Sequence, residues 1–385
     1  MKKALILFTL LAALLLVSAC GEAIAPAAEL PSEAPTAAAA ATEKPTTGGD
    51  GSDIVLVNGT PVETVSETVP PTPEPTPTEE PTPSPTPTPT PTPTPVPTRA
   101  PKAGDITDHF PDYDTGADAD YSYQSDELRI AITIVKDEAE KQTYYVADIW
   151  MRNINSFRTA FGKGQFNKGV EDGDSLAKRE NAILAVNGTY NQGLMLQSGK
   201  LLKKARADKG WNSGSVCLLY RDGSIKTFKL KKEKLDINKE IKNGAWHGWQ
   251  FGPIIIRDYE PGPGATIYGE LGYKARNILG YYEPGHYVIV NCDAYRDDAK
   301  GMTAGKMVEV MQSLGVKDAF NLDGGTSAVL VFMGEIVNRP TKRNDNGKMV
   351  PGRPLLDMLV FAEYDENGVA PDLSTLTADK FKPVD

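Results

Sequence analysis

An α+β fold, with mixed or antiparallel β-sheets flanked by a few helices in a single globular domain, is what the second half of this 385-residue sequence predicts. Three observations lead there. Apolar and polar residues alternate in many short runs, those runs are rich in β-branched and aromatic residues, and helical periodicity is clear in one segment only.

The elements follow in order. Leu128 to Ile134 alternates with its Leu and Ile residues on one face, and Gln142 to Met151 follows as the partner of an opening hairpin. Asp174 to Asn181 reads as a short helix capped by Asp174, running into a buried strand at Ala182 to Val186. Val216 to Tyr220 and Ile225 to Leu230 form a second hairpin across Arg221-Asp222-Gly223-Ser224. Further strands are expected at Phe251 to Arg257, Asn277 to Tyr282 and Tyr287 to Asn291. Thr303 to Leu314 is the clearest helix: Met307, Val308, Met311 and Leu314 make one stripe, Thr303 caps its start and Gly315 its end. Strands near Ala319 to Leu322, Ala328 to Met333 and Leu355 to Phe361 complete the set.

The first hundred residues have another character. Met1-Lys2-Lys3 and the apolar run Ala4 to Val17 have the layout of a secretory signal peptide, too short to span a bilayer comfortably. Val17-Ser18-Ala19-Cys20-Gly21 resembles the bacterial lipobox, so Cys20 is the expected lipidation site and the chain is expected to be an extracytoplasmic lipoprotein. Residues 20–69 hold few aromatic or large apolar residues apart from the short run Ile54 to Val57, and read as a disordered low-complexity segment. Residues 70–104 are a Thr-Pro-rich stalk that favours polyproline II and reaches on the order of 100 Å. Residues 105–124 read as a lead-in, 125–365 as the domain and 366–385 as a tail.

Charge and cysteine content exclude several functions. With 41 Lys+Arg against 51 Asp+Glu the formal charge is −10, so nucleic acid is a poor partner. The three histidines are widely spaced and no CxxC occurs, which argues against a zinc site or a histidine triad. Cys217 and Cys292 lie in apolar runs, either paired or as two buried thiols. No cofactor is required. A divalent cation at Asp293, Asp297 and Asp298 is conceivable, although their spacing does not match a calcium loop. Nothing calls for an oligomer, and a monomer is expected.

The chemistry concentrates in Asn321-Leu322-Asp323-Gly324-Gly325-Thr326-Ser327. An Asn and an Asp two apart at a strand end project to one side, and two glycines let the backbone turn towards a ligand, although Asp-Gly-Gly is also ordinary turn chemistry. Asn187-Gly188 repeats the pattern of an amide at a strand end. Gly252-Pro253, Arg276 to Gly280, the helix from Thr303, Val337-Asn338 and Arg353 follow in order. Trp246, His247 and Trp249 form an aromatic group suited to a sugar face, with the core as the safer assignment.

These pieces, in this order, resemble the phosphodiester glycosidase domain family, over most of residues 125 to 362. That family includes the animal enzyme that uncovers mannose-6-phosphate tags and bacterial exopolysaccharide-associated proteins. The sequence departs from the family pattern at Thr326, Asn277 and Asn191. The resemblance implies hydrolysis of a sugar-1-phosphodiester in a phosphate-linked glycan. Asp323 is then the catalytic carboxylate, Arg276 the phosphate clamp and Asn321 a third catalytic group. Asn187, Gly188, Asp293, Thr303, Gly324, Gly325, Thr326, Ser327 and Arg353 are the implied substrate-binding residues, with the Gly324 and Gly325 amides as an anion nest. The alternative is a non-catalytic glycan-binding or envelope-organising module.

Overall fold

The structure is a computed structural model whose described residues are 101–191, 193–206, 214–263, 272–339, 341–343, 349–365 and 367–381. The expected signal peptide, Cys20 and nearly all of the Thr-Pro stalk lie outside them.

Alternation in the sequence becomes antiparallel pairing throughout the described strands. The largest sheet has eight strands, in the order Tyr121–Gln124, Leu128–Asp137, Gln142–Met151, His286–Cys292, Arg276–Glu283, Asp318–Asn321, Ile254–Arg257 and Glu260–Pro261. A five-stranded sheet runs Glu335–Ile336, Leu330–Phe332, Leu184–Asn187, Asp357–Phe361, Phe157–Phe161. A second runs Lys200–Lys203, Met195–Gln197, Ala245–Phe251, Ser215–Tyr220, Ile225–Lys229.

One core joins all three sheets: Tyr287 and Phe320 from the first, Phe157 and Phe361 from the second, and Trp249 from the third pack together in one cluster. Each outer face then carries one helix. Met307 and Met311 of α3 (Ala304–Ser313) cover Ile278, Val288 and Val290 of the eight-stranded sheet. Leu176 and Ala177 of α1 (Gly173–Arg179) cover Ala185, Val331 and Met358. Ile237 and Ile241 of α2 (Ile237–Lys242) lie against Leu218 and Tyr220. Full burial of a methionine such as Met307 or Met311 stabilises the fold by roughly 1.5–3 kcal/mol.

Several expectations are sharpened or corrected. Thr303 caps α3, its hydroxyl accepting from the Lys306 N–H at 3.2 Å. In the first helix the N-cap position is Asp172, whose side chain makes no capping bond, and Asp174 lies inside the first turn. The strand expected across Phe251 to Arg257 is two strands, interrupted at Gly252-Pro253, where proline has no N–H to donate. The lead-in and tail are parts of the fold: Tyr121–Gln124 is an edge strand, Lys380 bridges to Ser122, and Phe381 packs on the core. Trp249 and His247 are fully buried. Burial lowers the His247 pKa to about 3, so the ring is a neutral core group. Cys217 and Cys292 are free buried thiols.

Candidate active site

The ends of three adjacent interior strands lie together at one end of the eight-stranded sheet. Arg276 begins the strand Arg276–Glu283 opposite Cys292, and Ile278 stands opposite Asn321. Asp293 and Asp323 therefore leave the strands on either side of Arg276, and antiparallel register brings their segments together.

Asp323 sits at the rim. Its side chain is 16% exposed and Arg353 is 37% exposed, with Arg353 Nη2 donating to Asp323 Oδ2 at 3.0 Å. Arg353 Nε also donates to Ser327 Oγ at 2.7 Å, and the guanidinium lies 4.2 Å from the centre of the Tyr190 ring. Burial raises the Asp323 pKa, while the Ser327 hydroxyl, Arg353 and the Gly324 amide pull it back. A cavity of 220 Å³ opens on the Arg353 side of this pair, lined by Asp172, Asp174, Thr326, Ser327, Arg353 and Leu355 among others but not by Asp323. A cleft of 520 Å³ elsewhere contains none of the motif residues, and one of 390 Å³ touches the motif series only at Val337.

The amides expected to touch substrate hold the loop instead. Asn187 is 2% exposed; its Nδ2 donates to the Asp323 carbonyl at 2.9 Å and its Oδ1 accepts from the Val329 N–H at 3.0 Å and from Asn277 Nδ2. Asn277 Oδ1 accepts in turn from Asn291 Nδ2 at 2.6 Å, so a buried ladder of three asparagines supports the Asp323 backbone. Asn321 is 1% exposed and its Nδ2 donates to the Gly252 carbonyl at 2.8 Å. The anion nest is also absent: the Gly324 N–H donates to Asp323 Oδ1 at 2.9 Å and the Gly325 N–H to the Ala275 carbonyl at 2.8 Å. Gly325 is in the left-handed region at φ 64°, where glycine fits without strain.

Arg276 is placed differently from Arg353. It is 3% exposed and donates to the carbonyls of Met302 at 3.2 Å and Gly272 at 3.3 Å. Among the described residues it pairs with no carboxylate, and burial lowers its pKa. Thr303 follows Met302, with its hydroxyl engaged in the α3 cap.

Asp293 is a closed unit. Its Oδ1 accepts from Asn338 Nδ2 at 3.0 Å and the Arg339 N–H at 3.1 Å, and its Oδ2 from Arg296 Nη1 at 3.1 Å. Arg296 is held in turn by Asp298, so these acids are engaged in ion pairs. Among the described residues no group of three or more His, Cys, Asp or Glu is placed to hold a metal ion.

Three residues of this region escaped the sequence reading. Tyr190 carries Arg353 on its ring. Tyr295 lies close to Arg276 and Asp323, which act on its phenol in opposite directions. Asp357, 2% exposed, lies beneath Gly188. The usable signal for Asp357 was a lone acid opening an otherwise apolar strand, Asp357–Phe361.

Comparison with known proteins bears on the family and the fold. Residues 175–362 match the sequence model of the phosphodiester glycosidase family. A catalytic domain of zebrafish N-acetylglucosamine-1-phosphodiester alpha-N-acetylglucosaminidase, auto-inhibited by its pro-peptide, superposes with a TM-score of 0.50 at 18% identity. The match covers 64% of this chain and 86% of that one. At this identity the likeness establishes the fold. The SPbeta prophage-derived uncharacterized protein YomE of Bacillus subtilis (strain 168) is 29% identical over 172 residues, 43% of this chain but 26% of that protein's length.

Proposed function

We propose, for a chain carrying a phosphodiester glycosidase family domain over residues 175–362, that it hydrolyses sugar-1-phosphodiester linkages of a cell-envelope or extracellular phosphoglycan. The observation that carries this reading is the Asp323–Arg353 pair, a carboxylate and a cation held together with part of each side chain exposed, whose arginine lines a cavity. A phosphodiester is already a competent leaving group. Cleavage at the anomeric carbon therefore needs a carboxylate for the oxocarbenium-like centre and positive charge for the departing phosphate more than a strong general acid.

Asp323 supplies the carboxylate, as nucleophile or electrostatic partner. Arg353, the more exposed arginine, meets the phosphate first. Arg276, a guanidinium bonded only to main-chain carbonyls among the described residues, is the second clamp. The asparagines Asn187, Asn277 and Asn291 keep the Asp323 backbone in place from below. A lipid at Cys20 and the Thr-Pro stalk would hold this site outside the cytoplasm, within reach of polymers at the envelope.

Hydrolysis of a panel of sugar-1-phosphodiesters in oxygen-18 water tests the reaction class. Label in the released sugar is expected, because water ends on the anomeric carbon. Label in the phosphate would mean phosphorus–oxygen cleavage and reject the glycosidase reading. Saturable binding without product would identify a glycan-binding module.

A further inference from the structure

We propose that Asp357 is a positioning residue for the Asp323–Arg353 pair, acting through the turn from Gly188 to Asn191 that its carboxylate clamps. The kinetic part rests on the glycosidase reading; the clamp stands on geometry alone.

A carboxylate at the head of a buried strand is costly unless it is bonded. The Thr189 N–H donates to Asp357 Oδ2 at 2.7 Å and the Thr189 hydroxyl at 3.4 Å, and the Tyr190 N–H also faces the group. The Asp357 carbonyl accepts from the Gly188 N–H at 2.9 Å, and the carboxylate leaves no room for a Cβ on Gly188. Among the described residues Asp357 Oδ1 has no partner. The clamped turn is strained: Tyr190 and Asn191 hold φ of 56° and 51°, in the left-handed region that non-glycine residues occupy only when their surroundings impose it.

Two site components hang on that turn. The Asp323 N–H donates to the Gly188 carbonyl at 2.9 Å, and the Tyr190 ring lies under Arg353. One buried carboxylate thus fixes both the backbone of the acid and the platform of its arginine. The charged group that acts on it is Asp323, from the loop after Asp318–Asn321. The adjacent strand places uncharged Phe161 opposite Asp357. Burial, and then Asp323, push the Asp357 carboxyl up to about 6, so its charge changes in a range where enzymes commonly work. Ionised, Asp357 tightens the turn through charge-assisted bonds and disfavours the charge on Asp323; protonated, it relaxes both effects.

The test uses the full chain labelled with carboxyl-carbon-13 aspartate, in its parent form and as Asp357→Asn, with the Asp323 resonance assigned through Asp323→Asn. Without any substrate, NMR should show a carboxyl titrating near pH 6 that Asp357→Asn lacks. Asp323 in that variant should titrate lower by roughly half a unit or more. An unchanged Asp323 titration overturns the proposal. The second arm is the pH profile of kcat/KM on the methyl phosphodiester of N-acetylglucosamine-1-phosphate. Its acid limb should move to lower pH in Asp357→Asn, whereas a merely structural role would lower the rate with the limb in place. Should Asp357→Asn fold poorly, Thr189→Val removes one bond to the ionised carboxylate and should move the Asp357 titration upward; no movement counts against the clamp. Absence of turnover in the parent chain tells against the glycosidase reading, and the substrate-free titration then decides the clamp by itself.

Discussion

Asp293 and Asp323 leave the two strands that flank Arg276–Glu283, each has an arginine and an asparagine close by, and they end in opposite conditions. Asp293 is 1% exposed, with both oxygens occupied by Asn338, Arg339 and Arg296. Asp323 keeps 16% of its side chain exposed, and its arginine keeps 37%. Residue types alone do not separate the two clusters. What separates them is access: both carboxylates are bonded at each oxygen, but Asp293 is sealed from solvent, whereas Asp323 and its arginine keep exposed surface for a ligand.

That contrast is broken most forcefully by exchanging each carboxylate for its amide. Asp323→Asn should lower kcat/KM by about 10³-fold or more with little change in Tm, read from initial rates and thermal unfolding. Asp293→Asn should do the reverse, destabilising by about 3 kcal/mol in denaturant titration with kcat nearly kept, because it leaves the Arg296 charge under-compensated. A comparable loss of turnover in both variants would erase the distinction.

The third prediction concerns pH. The Asp357 pKa is raised on folding from 3.8 to about 6, so the folded state holds this proton more tightly than the unfolded chain. Its contribution to stability is present below about pH 4, falls as pH rises, and is gone above about 6, a change of about 3 kcal/mol. The Tm of Asp357→Asn relative to the parent should accordingly climb between pH 4 and 7; a flat difference would contradict the assignment. The smallest expected effect is Arg353→Lys, about tenfold in kcat/KM, since lysine keeps the charge but not the planar fork that spans Asp323 and Ser327. An activity equal to the parent would remove Arg353 from the site.

Much of the fold was legible because alternation and β-branching report a half-buried strand directly. The runs at 128–134, 142–151 and 287–291 all fall inside observed strands. Ala245–Phe251 escaped because its aromatic residues and Gly248 mask the alternation, and Phe157–Phe161 because a strand of five residues gives too short a period. The motif pointed to this loop but not to the direction of each side chain. Asn187, Asn321 and the Gly324 and Gly325 amides turn inward to hold the loop, as hydrogen-bond partners far along the chain decide. The arginine that meets Asp323 is Arg353, 30 residues further on, a contact that no local spacing encodes.

The most direct measurement is sugar release from a panel of sugar-1-phosphodiesters by the parent chain, Asp323→Asn and Asp293→Asn, each confirmed folded at the assay temperature. Turnover by the parent and Asp293→Asn, with loss in Asp323→Asn alone, is the predicted result. Undiminished release by Asp323→Asn would contradict the central claim that the open carboxylate carries the chemistry.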